Sequence, residues 1–205
     1  MNGPSRLSLP GAEDSGDWLR RQLFERRIVM LSGTLDDGAV NEVGAALMTL
    51  DATGDEPVHL QLDSENGTAA AALALMDIVD LSGVPVHGLG IGQIAGPAVG
   101  VFAVCSHRTL SPHARIRLSE PRFAAEGTAL QLELQARAHL DQWSAFCSRL
   151  AAASGQPVDR VRTDAAAGRF LSASEALEYG IADEIAAPDA RMIHLPGARI
   201  GFGPR

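Results

Sequence analysis

An α/β fold built on a parallel sheet is what this sequence predicts, and three observations predict it. Segments of strand character alternate with segments of helical apolar spacing three times over residues 28–105, as expected of strands joined by crossover helices. The third unit, residues 88–106 (GLGIGQIAGPAVGVFAVCS), is a strand that stops at a Gly-rich turn and enters a helix with no polar face. Such a helix belongs at the centre of the core. Finally, one helical segment at about residues 128–153 is longer than an ordinary domain helix, so part of it is expected to project.

The 205 residues suit one domain with a full core. Apolar content is 46% but aromatic content only 4%, so Ala, Val, Leu and Ile build that core. The net charge of −8 argues against a nucleic-acid or anionic-membrane partner. All 17 basic residues are Arg, which excludes Lys bases, Ser–Lys dyads and Schiff-base cofactors. Cys105 and Cys147 lie in apolar helical patterns and read as reduced core thiols. The start of the chain lacks a secretory pattern, and no apolar run is long enough to span a bilayer. A cytoplasmic protein is expected.

In order, residues 1–16 are rich in Gly, Pro and Ser and read as a flexible N-terminal segment. The main domain is expected over residues 17–187. It opens with a short amphipathic helix, residues 17–27, with Trp18, Leu19 and Leu23 on one side. A first strand covers residues 28–31. Asp36 then caps a helix carrying Val40, Val43, Leu47 and Leu50. Val58, Leu60 and Leu62 alternate in a second strand, which residues 63–67 (DSENG) end as a polar loop. An Ala-rich helix through Leu73, Met76 and Val79 leads to the third strand, with Val84, Val86, Leu89 and Ile91 alternating. Gly92 and Gly96 punctuate its turn, and Pro97 sits at a first helical position, where its missing N–H is harmless to the helix. Short extended pieces follow at residues 108–110 and 115–118, then the long helix and a helical turn at residues 158–163. Ser172 and Glu175 form a capping box for a helix that Gly180 closes. A last strand is expected at residues 181–185, and an irregular C-terminal tail over residues 188–205.

A sharp strand-to-helix turn is where hydrolases display a nucleophile. The apex here is Gly96, which has no side chain. Around it, several segments resemble the proteolytic subunit of the ATP-dependent Clp protease, a family of serine endopeptidases: ERRIVMLSGTLDD, VHLQLDSENGTAAAALALMD, GLGIGQIAGPAVG, SPHARIRLSEP, GTALQLELQARAHL and, most specifically, SGQPVDRVRTDAAAGRFLSASEALEYGIADEI. The resemblance implies a crotonase-like spiral of βαβ units with a projecting handle helix at residues 128–153. It also implies heptameric rings that stack around a chamber, and an AAA+ ATPase as partner.

The resemblance does not extend to the catalytic residues. It puts Gly96 where the family has its nucleophilic Ser, Ser119 where it has His, and Gly168 where it has Asp. The nearest carboxylate, Asp164, lies about one helical turn upstream. Such a site needs nucleophile, imidazole and carboxylate in one hydrogen-bonded chain. The family's oxyanion donors map onto Gly67 and Pro97, and proline has no N–H to give. Places where the family makes contacts across its two rings are Ala166 and Ala167. The expectation is a pseudoenzyme: a non-catalytic ring subunit, assembling with itself or with a catalytic Clp subunit, with no cofactor and no metal.

The same residues admit other readings. Acyl-CoA chemistry of the crotonase type also needs the donor that Pro97 lacks, and its two acid/base carboxylates would fall near Gly100 and Arg122. A relocated nucleophile would use Ser64, Ser119 or Ser172, of which Ser119 beside Glu120 is best placed. A third alternative is a module that binds a peptide or acyl group in the degenerate cleft. His59 and His87 read as isolated structural histidines. His107 and His113 flank one short segment and make a weak metal signal. Asp63, Glu65 and Asn66 read as a polar turn.

Overall fold

The computed structural model describes residues 12–121 and 123–187. Arg122, residues 1–11 and the tail at 188–205 therefore lie outside the described residues. Helix α1 (Ala12–Phe24) opens five residues earlier than the sequence pattern placed it. Its expected apolar face is also divided: Leu23 is buried, whereas Trp18 and Leu19 remain more than half exposed.

Strand β1 (Ile28–Leu35), helix α2 (Asp37–Thr53), strand β2 (Val58–Gly67), helix α3 (Ala69–Leu81) and strand β3 (Val86–Ala95) follow. These three strands are all parallel neighbours, as the repeating strand–helix pattern required. Asp36 caps α2 by accepting from the Ala39 N–H at 3.0 Å, and Thr68 caps α3. Helix α4 (Pro97–Ala103) is buried along its whole length. Strand β4 (His107–Leu110) pairs with β3 and with β7 (Glu184–Ile185). Strand β5 (Arg115–Arg117) extends β3 at its carboxyl end and pairs antiparallel with β6 (Phe170–Ser172), a strand the apolar pattern did not reveal. Helices α5 (Ala129–Ser154), α6 (Val158–Ala166) and α7 (Ala173–Tyr179) complete the chain. The main path of the sheet is β1-β2-β3-β4-β7.

Two strand readings need correction. The DSENG segment is not a loop: Asp63, Asn66 and Gly67 pair with Ser32, Thr34 and Leu35 of β1. Backbone pairing overrides the polar side chains, and Ser64 is buried with its hydroxyl donating to Gly33 O at 2.7 Å. In β3 the inward positions after Val86 are Gly88 and Gly90, not Leu89 and Ile91. A Cβ on Gly90 would stand 2.4 Å from Leu110 Cδ2, and one on Gly88 3.0 Å from Phe102 Cδ2. Glycine here lets the buried side chains of α4 and β4 reach the sheet.

The capping box expected at Ser172/Glu175 forms, and the structure shows a second at Thr128/Gln131. Gly155 and Gly180 close α5 and α7 in the left-handed region. The residues that α5 buries, Phe146, Cys147, Leu150, Ala151 and Ser154, all lie in its second half. Its first half carries Leu130, Leu134 and Leu140 at 59–66% exposure. A helix that projects is what the sequence led one to expect.

Candidate functional site

The centre of interest is the turn from β3 into α4. Ala95 pairs with Arg117 of β5, and the next residue, Gly96, donates its N–H to Arg117 O at 2.9 Å. Gly96 has φ 54° and ψ −126°, a conformation side chains rarely tolerate except where a site demands it. Strained turns of this kind lift a hydrolase nucleophile out of the sheet. A Cβ at Gly96 would stand 3.3 Å from Ser119 Oγ and 3.5 Å from Ser119 O. The fold thus brings positions 96 and 119 together across β3 and β5.

Pro97 occupies the first turn of α4, is buried, and offers no N–H. Gly67 ends β2, the parallel neighbour of β3. A Cβ at Gly67 would lie 2.6 Å from Leu35 O and 2.7 Å from Leu35 Cβ, so only glycine fits. Gly67 and Gly96 therefore stand at the carboxyl ends of adjacent parallel strands, where open α/β sheets place their ligands.

Gly168 is different. It lies in the left-handed region at φ +66°, between α6 and β6. A Cβ there would have Arg117 Nη2 as its nearest neighbour at 3.6 Å, with no Ser119 atom within 4 Å. The Arg117 guanidinium also sits over the Phe170 ring at 5.1 Å. Asp164 is committed elsewhere. It accepts from Arg169 Nη1 at 3.1 and 3.2 Å and from the Tyr179 hydroxyl at 2.9 Å. Burial and the bond to Asp164 together push the Tyr179 phenol up.

Of the alternative serines, Ser64 is bonded to Gly33 O, and Ser172 is held in its capping box by Glu175. The two cysteines are buried. Burial pushes the Cys105 thiol up to about 12 and the Cys147 thiol up to about 11, so neither is a poised nucleophile.

The histidines of the strands are not isolated. Strand register sets His59 opposite His87, and His87 opposite His107. Their ring centres are 5.6 and 5.7 Å apart. Burial and then the two flanking imidazoles lower the pKa of His87. His107 finds Glu184, Nε2 to Oε1 at 3.3 Å. Only strand pairing creates this row, because the three residues are 28 and 20 positions apart in the chain.

Similarity to known proteins extends over most of the chain. The family model described as Clp protease matches residues 11–189. The ATP-dependent Clp protease proteolytic subunit 4 of Rhodococcus jostii (strain RHA1) is 35% identical over 181 residues, covering 87% of this chain and 93% of that protein. The ATP-dependent Clp protease proteolytic subunit 2 of Thermobifida fusca (strain YX) is 32% identical over 170 residues, covering 80% and 83%.

Proposed function

The chain belongs to the Clp protease family, and from that premise we propose that it is a non-catalytic proteolytic-subunit homologue, a structural member of a ring. The observation that carries this reading is Gly96: the strained turn is retained, but nothing is displayed on it. The substitutions around it agree. Ser119 faces the empty position without an imidazole, and Gly168 faces Arg117. Pro97 removes one backbone donor for a developing oxyanion, a loss worth about 10²–10³ in rate by itself. Hydrolysis by the family's route would need all of these at once.

Assembly is the remaining role. The exposed leucines on the first half of α5 are apolar surface that a lone subunit would leave in water. The relatives are by name subunits of ATP-dependent proteases. We therefore assign this chain to heptameric rings, made of itself or shared with a catalytic Clp subunit, that serve an AAA+ ATPase in the cytoplasm. Native mass measurement of the protein, alone and mixed with a catalytic relative, tests the assignment. Mixed or homomeric rings with no fluorophosphonate label on this chain are expected. A monomer under both conditions defeats the ring, and stoichiometric labelling of any serine on this chain defeats the pseudoenzyme.

A further inference from the structure

Strand β1 ends the main path of the sheet, and among the described residues it pairs with β2 alone. Its other edge opens on a cavity of about 610 Å³. Five successive residues of β1, from Ile28 to Ser32, line it. Val29 and Leu31 are buried and Met30 is exposed, so the cavity takes in both faces of the strand and follows its edge. Helix α1 supplies one wall through Leu19, Leu23 and Phe24, and α2 the other through Ala39 and Ala46. The Arg20–Glu42 ion pair, 3.1 Å long, ties the two walls together. An edge of eight residues beside an apolar groove is a template for one more strand.

We propose that this groove takes residues 198–202 (ARIGF) of a second copy of the chain, paired as an extra strand on the free edge of β1. Such a contact rests on the ring assembly proposed above. Residues 198–202 lie outside the described residues, in the tail expected to be irregular, and their sequence singles them out. Ala198, Ile200 and Phe202 alternate with Arg199 and Gly201, and the run is bounded by Pro196-Gly197 and Gly203-Pro204. Apolar residues at period 2 between Gly and Pro are the signature of a strand. An extended segment that joins an exposed edge gains main-chain hydrogen bonds, while alternate side chains fill the pockets beside it. Ile200 and Phe202 are the apolar groups for the groove.

Chain geometry favours a second copy over the same one. Strands β7 and β1 are the two ends of the sheet's main path. A tail that leaves β7 stands four strand spacings from its own β1, about 19 Å, and would have to cross β4, β3 and β2 to reach it. In a head-to-tail arrangement the β7 edge of one copy comes beside the β1 edge of the next. The ten residues 188–197, which span at most about 36 Å, then bridge the gap. Tail and groove are different surfaces, so each copy gives one and receives one. Repeating a contact of that kind closes a ring when the rotation between copies allows. Residues 1–11 are the other candidate, since they lead into α1. They offer one alternating pair, Leu7 and Leu9, where the tail offers three positions and an aromatic anchor.

The test uses the full-length chain. Met30→Cys in the groove and Gly203→Cys beside the tail segment are combined, and a short bismaleimide is added. Cys105 and Cys147 are buried and stay silent. A ladder of covalent dimers and larger species on a denaturing gel is expected. Ile200→Asp, Phe202→Asp and, in the groove, Leu19→Glu should each remove the ladder and shift the sedimenting species toward monomer. Leu19 and Met30 are about half exposed, and circular dichroism checks each variant's fold. If Met30→Cys fails to fold, Ser32→Cys on the same groove replaces it. A link confined to one chain overturns the proposal, and so does a link from Met30→Cys to Ser5→Cys in place of Gly203→Cys. No link, in a protein that still forms rings, overturns the proposal and leaves the ring assembly standing. No link in a protein that sediments as a monomer defeats both.

Discussion

A Cβ placed on Gly96 would stand 3.3 Å from the Ser119 hydroxyl oxygen, so the two positions face each other across β3 and β5 although one has no side chain. The first expected outcome follows from that approach and from the φ of +54° at Gly96. Gly96→Ser installs a side chain in a strained backbone and crowds Ser119. It should cost about 1–3 kcal/mol of stability, measured by denaturant unfolding. It should give no turnover of an activated ester, because Ser119 cannot take the proton. Measurable turnover would mean that a base stands nearby unrecognised.

Restoring all three positions, with Gly96→Ser, Ser119→His and Gly168→Asp, should still yield a poor enzyme. The missing donor at Pro97 keeps the triple variant about 10²-fold or more below the version that also carries Pro97→Met. The difference should lie mainly in kcat. The carboxylate introduced by Gly168→Asp should also pair with Arg117, whose Nη2 lies 3.6 Å from the Cβ position. Adding Arg117→Met to the fourfold variant should therefore raise its rate further. Equal rates for the triple and fourfold variants, once both are shown to assemble, would refute the role given to position 97.

The buried thiols make an expectation about pH. Cys105 and Cys147 are held near 12 and 11 by burial, above the value of about 8.5 for a free thiol. Folding thus favours their neutral forms. That stabilisation is fully present below the unfolded value and is lost as pH rises beyond about 8.5. Thiol titration at pH 8 should find neither cysteine until denaturant is added. Stability measured from pH 7 to 10 should fall at the alkaline end, and less steeply in a Cys105→Ala/Cys147→Ala variant compared with its own value at pH 7. Rapid labelling of the folded protein would contradict this.

Gly100 lies inside α4, where a Cβ would approach Phe146 Cε2 to 2.3 Å and Met76 Sδ to 2.9 Å. Alanine normally strengthens a helix, but here Gly100→Ala should overpack the core and cost about 1–3 kcal/mol. Thermal unfolding decides it, and an unchanged or raised Tm would mean that Phe146 moves freely.

Leu134→Glu and Leu140→Glu change exposed positions of α5. Each should leave protomer stability within about 0.5 kcal/mol yet break up the assembly in analytical ultracentrifugation. An unaltered oligomer would remove the first half of α5 from the interface.

Much of the fold was determined by sequence alone, because its signals are local. The period of apolar residues distinguishes strand from helix in β1 to α3, and Asp36, Ser172 and Gly180 mark helix ends through bonds reaching only a few residues. Position 96 could be singled out for the same reason: a strand, a glycine and a proline in succession prescribe a turn. Tertiary structure alone decided what depends on pairing between distant segments. Residues 63–67 became strand because β1 lay alongside them. Gly88 and Gly90 faced inward because Leu110 and Phe102 needed the space. Gly168 met Arg117 through the antiparallel pairing of β5 and β6. The three histidines and Glu184 are spread over 126 positions of chain, and their row exists only because parallel strands fix which residues stand side by side.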